Sequence, residues 1–258
     1  MKKRLIIILT AVTVAVISVV LFAVNVSATP TFYNLWVGGE RVTSDNLSGD
    51  GWKYEPDTNT LVLNGFGIAT WGYNVGKDPL GHYPSKINLF AIIYAEGMDL
   101  TIRTEGEESC IGDPVFANRS YEKSNRAYTG IYNRNGKVTI TGNAKLTVGA
   151  NHRGIFCGNS GDLTFDNARD VYVITYGGDT LRAGNLTLKG NSRVNASAGH
   201  GGAGATNFNI SATSTIKIYD NSFLGSEYEL GADCDKDYSG IRCRDLLKGA
   251  IYVYGGEL

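Results

Sequence analysis

A dominant charge of either sign is lacking, because 24 lysines and arginines face 25 aspartates and glutamates. A net charge of -1 argues against a protein that binds nucleic acid through a basic surface. Helix-favouring segments are nearly absent after the first 25 residues, and only five prolines occur. Glycine, tyrosine, threonine and asparagine are abundant instead, which is the composition of a turn-rich β protein.

Catalytic motifs are also lacking. The chain has three histidines, and no serine stands in the Gly-x-Ser-x-Gly context of an activated nucleophile. His200 lies in a glycine-rich stretch without the Lys-Ser/Thr of a phosphate-binding loop, and no Cys/His spacing matches a zinc site. These absences argue against triad hydrolases, nucleotide-binding enzymes and zinc proteins, and they favour a protein without catalysis.

Residues 1–28 have the layout of a secretory signal peptide. Met1–Arg4 carries three positive charges, residues 5–24 are almost wholly apolar, and Val26-Ser27-Ala28 ends the segment. The apolar run is also long enough to span a bilayer as a retained anchor, which is the alternative. Both interpretations predict a secreted or cell-surface protein that touches a membrane only through an uncleaved anchor.

Export makes the four cysteines candidate disulfide partners. Cys157 and Cys243 occupy the same position of a repeat but lie about three strands apart, roughly 14 Å, beyond disulfide reach. Cys234 and Cys243 form the easier pair, which leaves Cys110 outside it. Buried thiols without a role are the alternative.

A pair of short strands separated by a polar corner recurs along the chain. Within Gly136–Val148 the strands begin eight residues apart, at 138 and 146, and the spacing recurs at 163 and 171, 186 and 194, and 208 and 216. Most copies follow one another after 22 to 25 residues. This period predicts an all-β fold, a right-handed parallel β-helix (solenoid) over residues 91–258, whose stacked coils bury their apolar faces.

Alternation along each strand predicts which positions face the core. The first strands direct one aliphatic or aromatic column inward: Leu100, Val138, Leu163, Leu186 and Phe208. Their next residues form an outward polar column: Thr101, Thr139, Thr164, Thr187 and Asn209. The second strands repeat this arrangement, with outward Thr147, Tyr172, Asn195 and Lys217.

A third, shorter strand opens each coil and carries the main functional prediction. Its aliphatic residues are expected to face inward: Ile93, Ile131, Ile155 and Leu181. The residues that follow them would form an exposed column: Tyr94, Tyr132, Phe156 and Arg182. Aromatic faces at strand spacing suit the stacking of sugar rings, so we expect Tyr94, Tyr132 and Phe156 to bind a ligand. Aromatic rings that only cover a sheet or pack under inserts are the alternative.

Residues 29–90 differ from the repeats and predict an N-terminal β-hairpin cap. Leu35–Thr43 turns at Gly38-Gly39, a pair that takes the positive φ of a tight hairpin. Trp52–Leu63 repeats this scheme around a Pro-Asp turn.

Between residues 66 and 89 the pattern lapses into a loop or a covering of a sheet edge. It contains Trp71 and Tyr73, two further candidate ligand-binding residues, because loops on a rigid scaffold often carry function.

The opening residues resemble a family of exported bacterial surface proteins, mostly Gram-positive and often labelled carbohydrate-binding. The matching motifs are Leu-Trp-Val-Gly-Gly at 35–39, Gly-Asp-Gly-Trp-Lys-Tyr at 49–54 and Asp-Thr-Asn-Thr-Leu-Val-Leu-Asn-Gly at 57–65. In that family they precede Gly-Ile-Tyr and Gly-Asp-Leu-Thr-Ile repeats, as similar repeats follow here up to about residue 220. The resemblance implies export and a β-solenoid, and less firmly a polysaccharide ligand.

Two polar inserts interrupt the repeats, near 113–126 and 227–245. The second contains Asp233, Asp235 and Asp237, which predict a calcium site, with a solvated acidic loop as the alternative. No other cofactor is expected.

Carboxylates elsewhere leave an enzyme as the second hypothesis. A lyase on acidic glycans would draw on the carboxylates and cation of the repeats: Asp162, Asp166, Asp170, Asp179 and Arg182. Ordinary turn chemistry explains the first three aspartates as well. The leading hypothesis is therefore non-catalytic binding of a polysaccharide or cell-wall glycan, and a structural or adhesive stalk is the third.

Overall fold

A computed structural model describes eleven segments of the chain. These are residues 29–67, 72–77, 88–112, 126–158, 160–175, 179–198, 206–210, 215–220, 222–228, 239–243 and 250–254. The predicted signal peptide, Trp71, Cys234 and the three aspartates of the proposed calcium site lie outside these segments. Within them, no helix has the length and apolar character needed to cross a membrane.

The described residues are all-β apart from one 3-10 turn at Pro56–Thr58. The strands lie within the unit formed by residues 32–258. They are β1 (Phe32–Val37), β2 (Glu40–Thr43), β3 (Ser48–Gly49), β4 (Trp52–Glu55), β5 (Thr60–Leu63), β6 (Tyr73–Gly76), β7 (Asn88–Glu96), β8 (Leu100–Thr104), β9 (Ser109–Ile111), β10 (Arg126–Arg134), β11 (Val138–Gly142), β12 (Leu146–Ala150), β13 (Arg153–Phe156), β14 (Leu163–Ala168), β15 (Val171–Thr175), β16 (Asp179–Ala183), β17 (Leu186–Lys189), β18 (Arg193–Ala198), β19 (Thr206–Ile210), β20 (Thr215–Tyr219), β21 (Phe223–Tyr228), β22 (Ser239–Cys243) and β23 (Ala250–Tyr254).

These strands form three sheets. Sheet A has the order β2-β1-β7-β10-β13-β16-β19-β22, with β6 also on β7. Sheet B runs β3-β4-β5-β8-β11-β14-β17-β20-β23, and sheet C runs β9-β12-β15-β18-β21. From β7 onward the chain visits A, B and C in constant rotation, and successive strands within each sheet pair in parallel. The parallel sheets and this rotation are compatible with the predicted β-helix.

The predicted inner faces of sheets B and C and the outer threonine column of sheet B are confirmed, whereas Thr147, predicted to face outward on sheet C, is buried. Leu100, Val138, Leu163 and Leu186 stack in register in the main core, each with no more than 1% of its surface exposed. The threonines that follow them are paired across neighbouring strands and are half-buried. Aliphatic residues at alternate positions therefore fill one side of the sheet, and the threonine hydroxyls lie on the other side.

The predicted phase of the last repeat is wrong. Phe208 pairs with Leu181 in sheet A, whereas Ile216 pairs with Leu186 in sheet B. The sheet C strand of this coil is β21, in which Leu224 pairs with Val194. The eight-residue spacing gave the wrong assignment because 208 to 216 spans the corner between A and B, yet equals the spacing between B and C in the three preceding coils, as from 138 to 146.

Both predicted hairpins are confirmed at the N-terminal edge. β1 and β2 pair antiparallel around Gly38 and Gly39, whose φ values are 62° and 91°. β4 and β5 pair antiparallel around the 3-10 turn. β1 then pairs antiparallel with β7, and β5 pairs in parallel with β8, so these hairpins cover edges that sheets A and B would otherwise expose.

Two cysteines, Cys157 and Cys110, are thiols, the first buried and the second half-buried. Cys157 is a free, fully buried residue of the main core, and burial raises its pKa far above the ordinary range. Cys110 Sγ donates a hydrogen bond to Gly112 O at 3.2 Å. The expectation that Cys157 and Cys243 are not joined by a disulfide is thereby confirmed, while the proposed Cys234–Cys243 pair stays a prediction.

Alkaline pH is expected to destabilise the wild-type protein more than a Cys157→Ala variant. The unfolded chain releases the thiol proton above about pH 8.5, whereas the native chain keeps it, so the free energy of unfolding falls by up to about 1.4 kcal/mol per pH unit. Urea unfolding of both proteins between pH 7 and 10 measures this difference. Parallel pH profiles of the two proteins would contradict it.

Candidate functional site

The third strands carry an aromatic ladder on the outer side of sheet A. Tyr94, Tyr132 and Phe156 pair in register on β7, β10 and β13. The residue before each of them, such as Ile131, belongs to the main core on the other side of the sheet. The predicted stacking and the predicted opposite orientation of the two columns are therefore confirmed.

The predicted exposure of this column is wrong. Tyr94 and Tyr132 retain 2% of their surface and Phe156 retains 1%. Together with Leu89 and Ala91 they form a second hydrophobic core, separate from the one inside the sheets. Sequence alternation assigns a residue to one side of a sheet, but it does not reveal whether that side is covered. A sugar ring cannot stack on these buried faces without opening the fold.

Ring contacts continue through the ladder. Tyr132 stacks on Phe156 with centroids 4.6 Å apart, and Tyr94 lies 5.5 Å from Tyr132. Toward the N-terminal edge, Tyr73 stacks on Tyr94 at 5.0 Å, and Trp36 lies 4.6 Å from Tyr73. Burial, aided by the nearby Glu96 carboxylate, raises the pKa of the Tyr94 phenol above its usual range.

A buried ion cluster terminates the ladder at β13 and β16. The Arg153 guanidinium lies 4.8 Å from the Phe156 centroid, and that of Arg182 lies 5.7 Å from it. Asp179 Oδ2 accepts a hydrogen bond from Arg182 Nη1 at 2.7 Å and lies 4.0 Å from Arg153 Nε. These charges are almost completely buried, so the predicted exposure of Arg182 is also wrong.

The other end of the ladder is open. Trp36 and Tyr73 are only partly buried where they pack on the second core. Phe32, on the same strand as Trp36, is 56% exposed and is one of two large apolar side chains with such exposure in the described chain. The Arg41 guanidinium lies between them, 5.2 Å from the Phe32 ring and 4.9 Å from the Trp36 ring.

Arg41 is held in place by its strand neighbours. Its Nε donates a hydrogen bond to Tyr33 O at 2.9 Å, and its Nη2 donates to Asn34 Oδ1 at 3.2 Å. Trp36 pairs directly with Arg41 across the Gly-Gly hairpin, which fixes the stack. We name Phe32, Trp36, Arg41 and Tyr73 the aromatic end.

Comparison of the chain with protein-family models, with curated proteins and with solved structures found no match in any of the three. The family resemblance of the opening motifs thus stays a prediction. Any function has to be argued from the residues and their geometry.

Of the four predicted ligand-binding residues that the structure describes, only Tyr73 lies at the partly exposed end. The segment around it was predicted to be a loop or an edge covering, and β6 is the latter, since it pairs antiparallel with β7. Phe32, Trp36 and Arg41 were missed as site residues. Their signal was available: positions 32 and 36 share a strand face, and residue 41 lies opposite 36 across a two-glycine turn.

The carboxylates considered for lyase chemistry are dispersed. Asp162 Oδ1 accepts a hydrogen bond from Asn185 Nδ2 at 2.8 Å, and Asp166 pairs with Lys189 at 2.8 Å. Asp170 lies at a turn with φ of 62°. Within the described segments, no group of three His, Cys, Asp or Glu residues is placed to hold a metal ion. The calcium prediction concerns residues outside these segments and stays a prediction.

Proposed function

We propose that this chain is an exported, surface-located protein whose three sheets form a right-handed parallel β-helix, and that it binds polysaccharide without catalysis at the aromatic end. The observation that carries the proposal is the partly exposed cluster of Phe32, Trp36 and Tyr73, with the ordered Arg41 guanidinium against the first two rings. Elsewhere on sheet A the rings of Tyr94, Tyr132 and Phe156 are buried and those of Phe90 and Tyr128 are half-buried, whereas Phe32 at this end is 56% exposed.

The chemistry of the aromatic end suits a saccharide. Ring faces carry negative potential and attract the polarised C–H bonds of a sugar. A guanidinium and the Asn34 amide beside the rings supply hydrogen-bonding groups that orient hydroxyls. Because Trp36 and Tyr73 are stacked on the buried ladder, their faces are ordered before a ligand arrives, which reduces the entropy lost on binding.

Phe32→Ala is expected to weaken glycan binding about 5- to 10-fold, because it removes one stacking surface. Affinity electrophoresis against a panel of soluble polysaccharides, followed by calorimetry with the best binder, measures the change. Tyr172→Ala is the matched control, since Tyr172 is also an exposed aromatic residue, at 36%, but lies on sheet C.

Equal loss in both variants, or none in either, would contradict binding at the aromatic end. Failure of the wild type to bind any polysaccharide in the panel would instead favour the structural or adhesive stalk. Release of unsaturated products from polyuronates would favour the lyase.

A further inference from the structure

A polar cleft lies at the corner between sheets B and C, outside the aromatic end. Its volume is about 630 Å³, within the range of small-molecule sites. It crosses three successive coils. Its lining residues are Arg103, Thr104, Glu105, Gly106, Thr141, Gly142, Asn143, Asn167 and Arg169.

The cleft exists because the three coils turn their corners differently. In the middle coil, Gly142 has φ of 118°, and a Cβ there would lie 2.1 Å from Thr104 O. The backbone of this corner therefore lies close against the preceding coil, and it forms the floor of the cleft.

In the next coil an extra residue, Asn167, interrupts the register, because Thr141 pairs with Asp166 while Gly142 pairs with Ala168. Such a β-bulge displaces the corner and redirects the side chains that follow it. Here the displaced corner forms one wall of the cleft, and Arg169 lies at the end of that wall.

The two arginines of the cleft differ in their charge balance. Arg103 is paired with Glu105 at 2.6 Å and with Glu55 at 3.2 Å, and these contacts raise its pKa further. Arg169 is exposed, and its backbone N donates to Gly142 O. Its guanidinium has no hydrogen bond or ion pair within the described part of the chain. One cation of the cleft is thus neutralised and the other is available to a ligand.

Groups that suit sugar hydroxyls line the same cleft as Arg169. The Asn143 amide and the Thr141 hydroxyl line the floor, and neither side chain has a hydrogen-bond partner among the described residues. Glu105 adds a carboxylate acceptor on the opposite wall. Because the Glu105 carboxylate is paired with Arg103, the Arg169 guanidinium is the available charge, and beside the neutral Asn143 and Thr141 groups it matches a ligand with one negative group and several hydroxyls.

We propose that this cleft is a second saccharide subsite that selects acidic sugars, with the carboxylate of a uronic acid on Arg169 and ring hydroxyls on Asn143 and Thr141. This inference rests on the proposed polysaccharide binding and names the class of glycan. A planar guanidinium takes a carboxylate through two parallel hydrogen bonds, which makes the contact selective for charge and for geometry.

The experiment compares fragments of polygalacturonate with the same fragments after reduction of their carboxyl groups. Wild-type protein is expected to bind the acidic fragments about 10-fold more tightly, and Arg169→Gln is expected to abolish that preference. Arg193→Gln is the control, because Arg193 is an exposed arginine on β18 that packs on the Phe223 ring. The preference should also weaken as salt is raised. Sulfated glycan fragments form a further arm, and tighter binding of these than of the uronate would overturn the choice of a carboxylate.

The outcomes separate this inference from the proposed function. If both fragments bind equally to wild type and to Arg169→Gln, yet Phe32→Ala weakens both, the acidic subsite is refuted while the aromatic end stands. If Arg193→Gln loses the preference as much as Arg169→Gln does, a diffuse surface charge rather than this cleft is responsible. If neither fragment binds while a neutral polysaccharide does, the cleft is again refuted, and binding of no glycan at all refutes both proposals.

Discussion

Replacing Tyr132 by alanine is expected to lower the free energy of unfolding by about 3–5 kcal/mol, the usual range for a buried aromatic residue. Tyr132 keeps 2% of its surface and lies between Tyr94 and Phe156. The substitution leaves a cavity in the middle of the second core and interrupts the continuous ring contacts. Reversible urea unfolding, followed by tyrosine and tryptophan fluorescence, measures the change.

Tyr172→Ala provides the matched control for this prediction. Tyr172 occupies an outward position of β15, is 36% exposed and lies 5.5 Å from the Lys145 ammonium group. Its removal is expected to change the free energy of unfolding by no more than about 0.5 kcal/mol. Similar effects of the two substitutions would mean that the outer side of sheet A is not a core, and the exposed column expected from the sequence would regain its support.

Asp179→Ala is expected to destabilise the protein by a comparable amount, about 3–5 kcal/mol, because it removes the carboxylate from a buried ion cluster. Arg182 would lose its 2.7 Å hydrogen bond to Asp179, and Arg153 would lose the charge that lies 4.0 Å away. Both guanidinium groups are nearly excluded from water, so solvent cannot replace the lost partner.

Asp166→Ala is the corresponding control at the surface. The Asp166–Lys189 pair has nearly the same length, 2.8 Å, but the two side chains are 34% and 47% exposed. An exposed pair contributes about 0–1 kcal/mol, so the control isolates the effect of burial. Equal destabilisation by the two substitutions would show that burial of the Asp179 cluster does not govern its contribution to stability.

The buried aromatic ladder and the partly exposed aromatic end are continuous, but their residues affect different properties of the protein. Where the rings are buried they stabilise sheet A, and where they emerge, at Tyr73 and Trp36, they hold ring faces in fixed orientation. Binding variants at Phe32 and stability variants at Tyr132 therefore report on separate properties. A Tyr132 variant that no longer binds glycan would be uninformative about contact unless its folded fraction were measured.

The sequence predicted the periodic parts of the fold well, because periodicity is a local property. Alternation of Leu, Val and Ile with Thr identified the inner faces of sheets B and C, and paired glycines identified the hairpin at Gly38. The phase of the last coil was wrong because the spacing from 208 to 216 has the same length as a different corner of the coil. Residue counts alone do not distinguish two corners of equal length.

By itself, then, the sequence determined that the part of the chain described by the structure is all-β, with short strands whose apolar residues stack in register. Only the tertiary structure decided which outward residues meet solvent. Tyr94, Tyr132 and Phe156 carry the same pattern as an exposed column, yet they are buried, whereas Phe32 and Trp36 emerge at the edge. The cleft between Arg103 and Arg169 likewise depends on a one-residue bulge and on a glycine packed against the neighbouring coil. Whether the outer face of a sheet is covered, and where a cleft forms, depend on contacts between segments distant in sequence. Strand periodicity carries no information about those contacts.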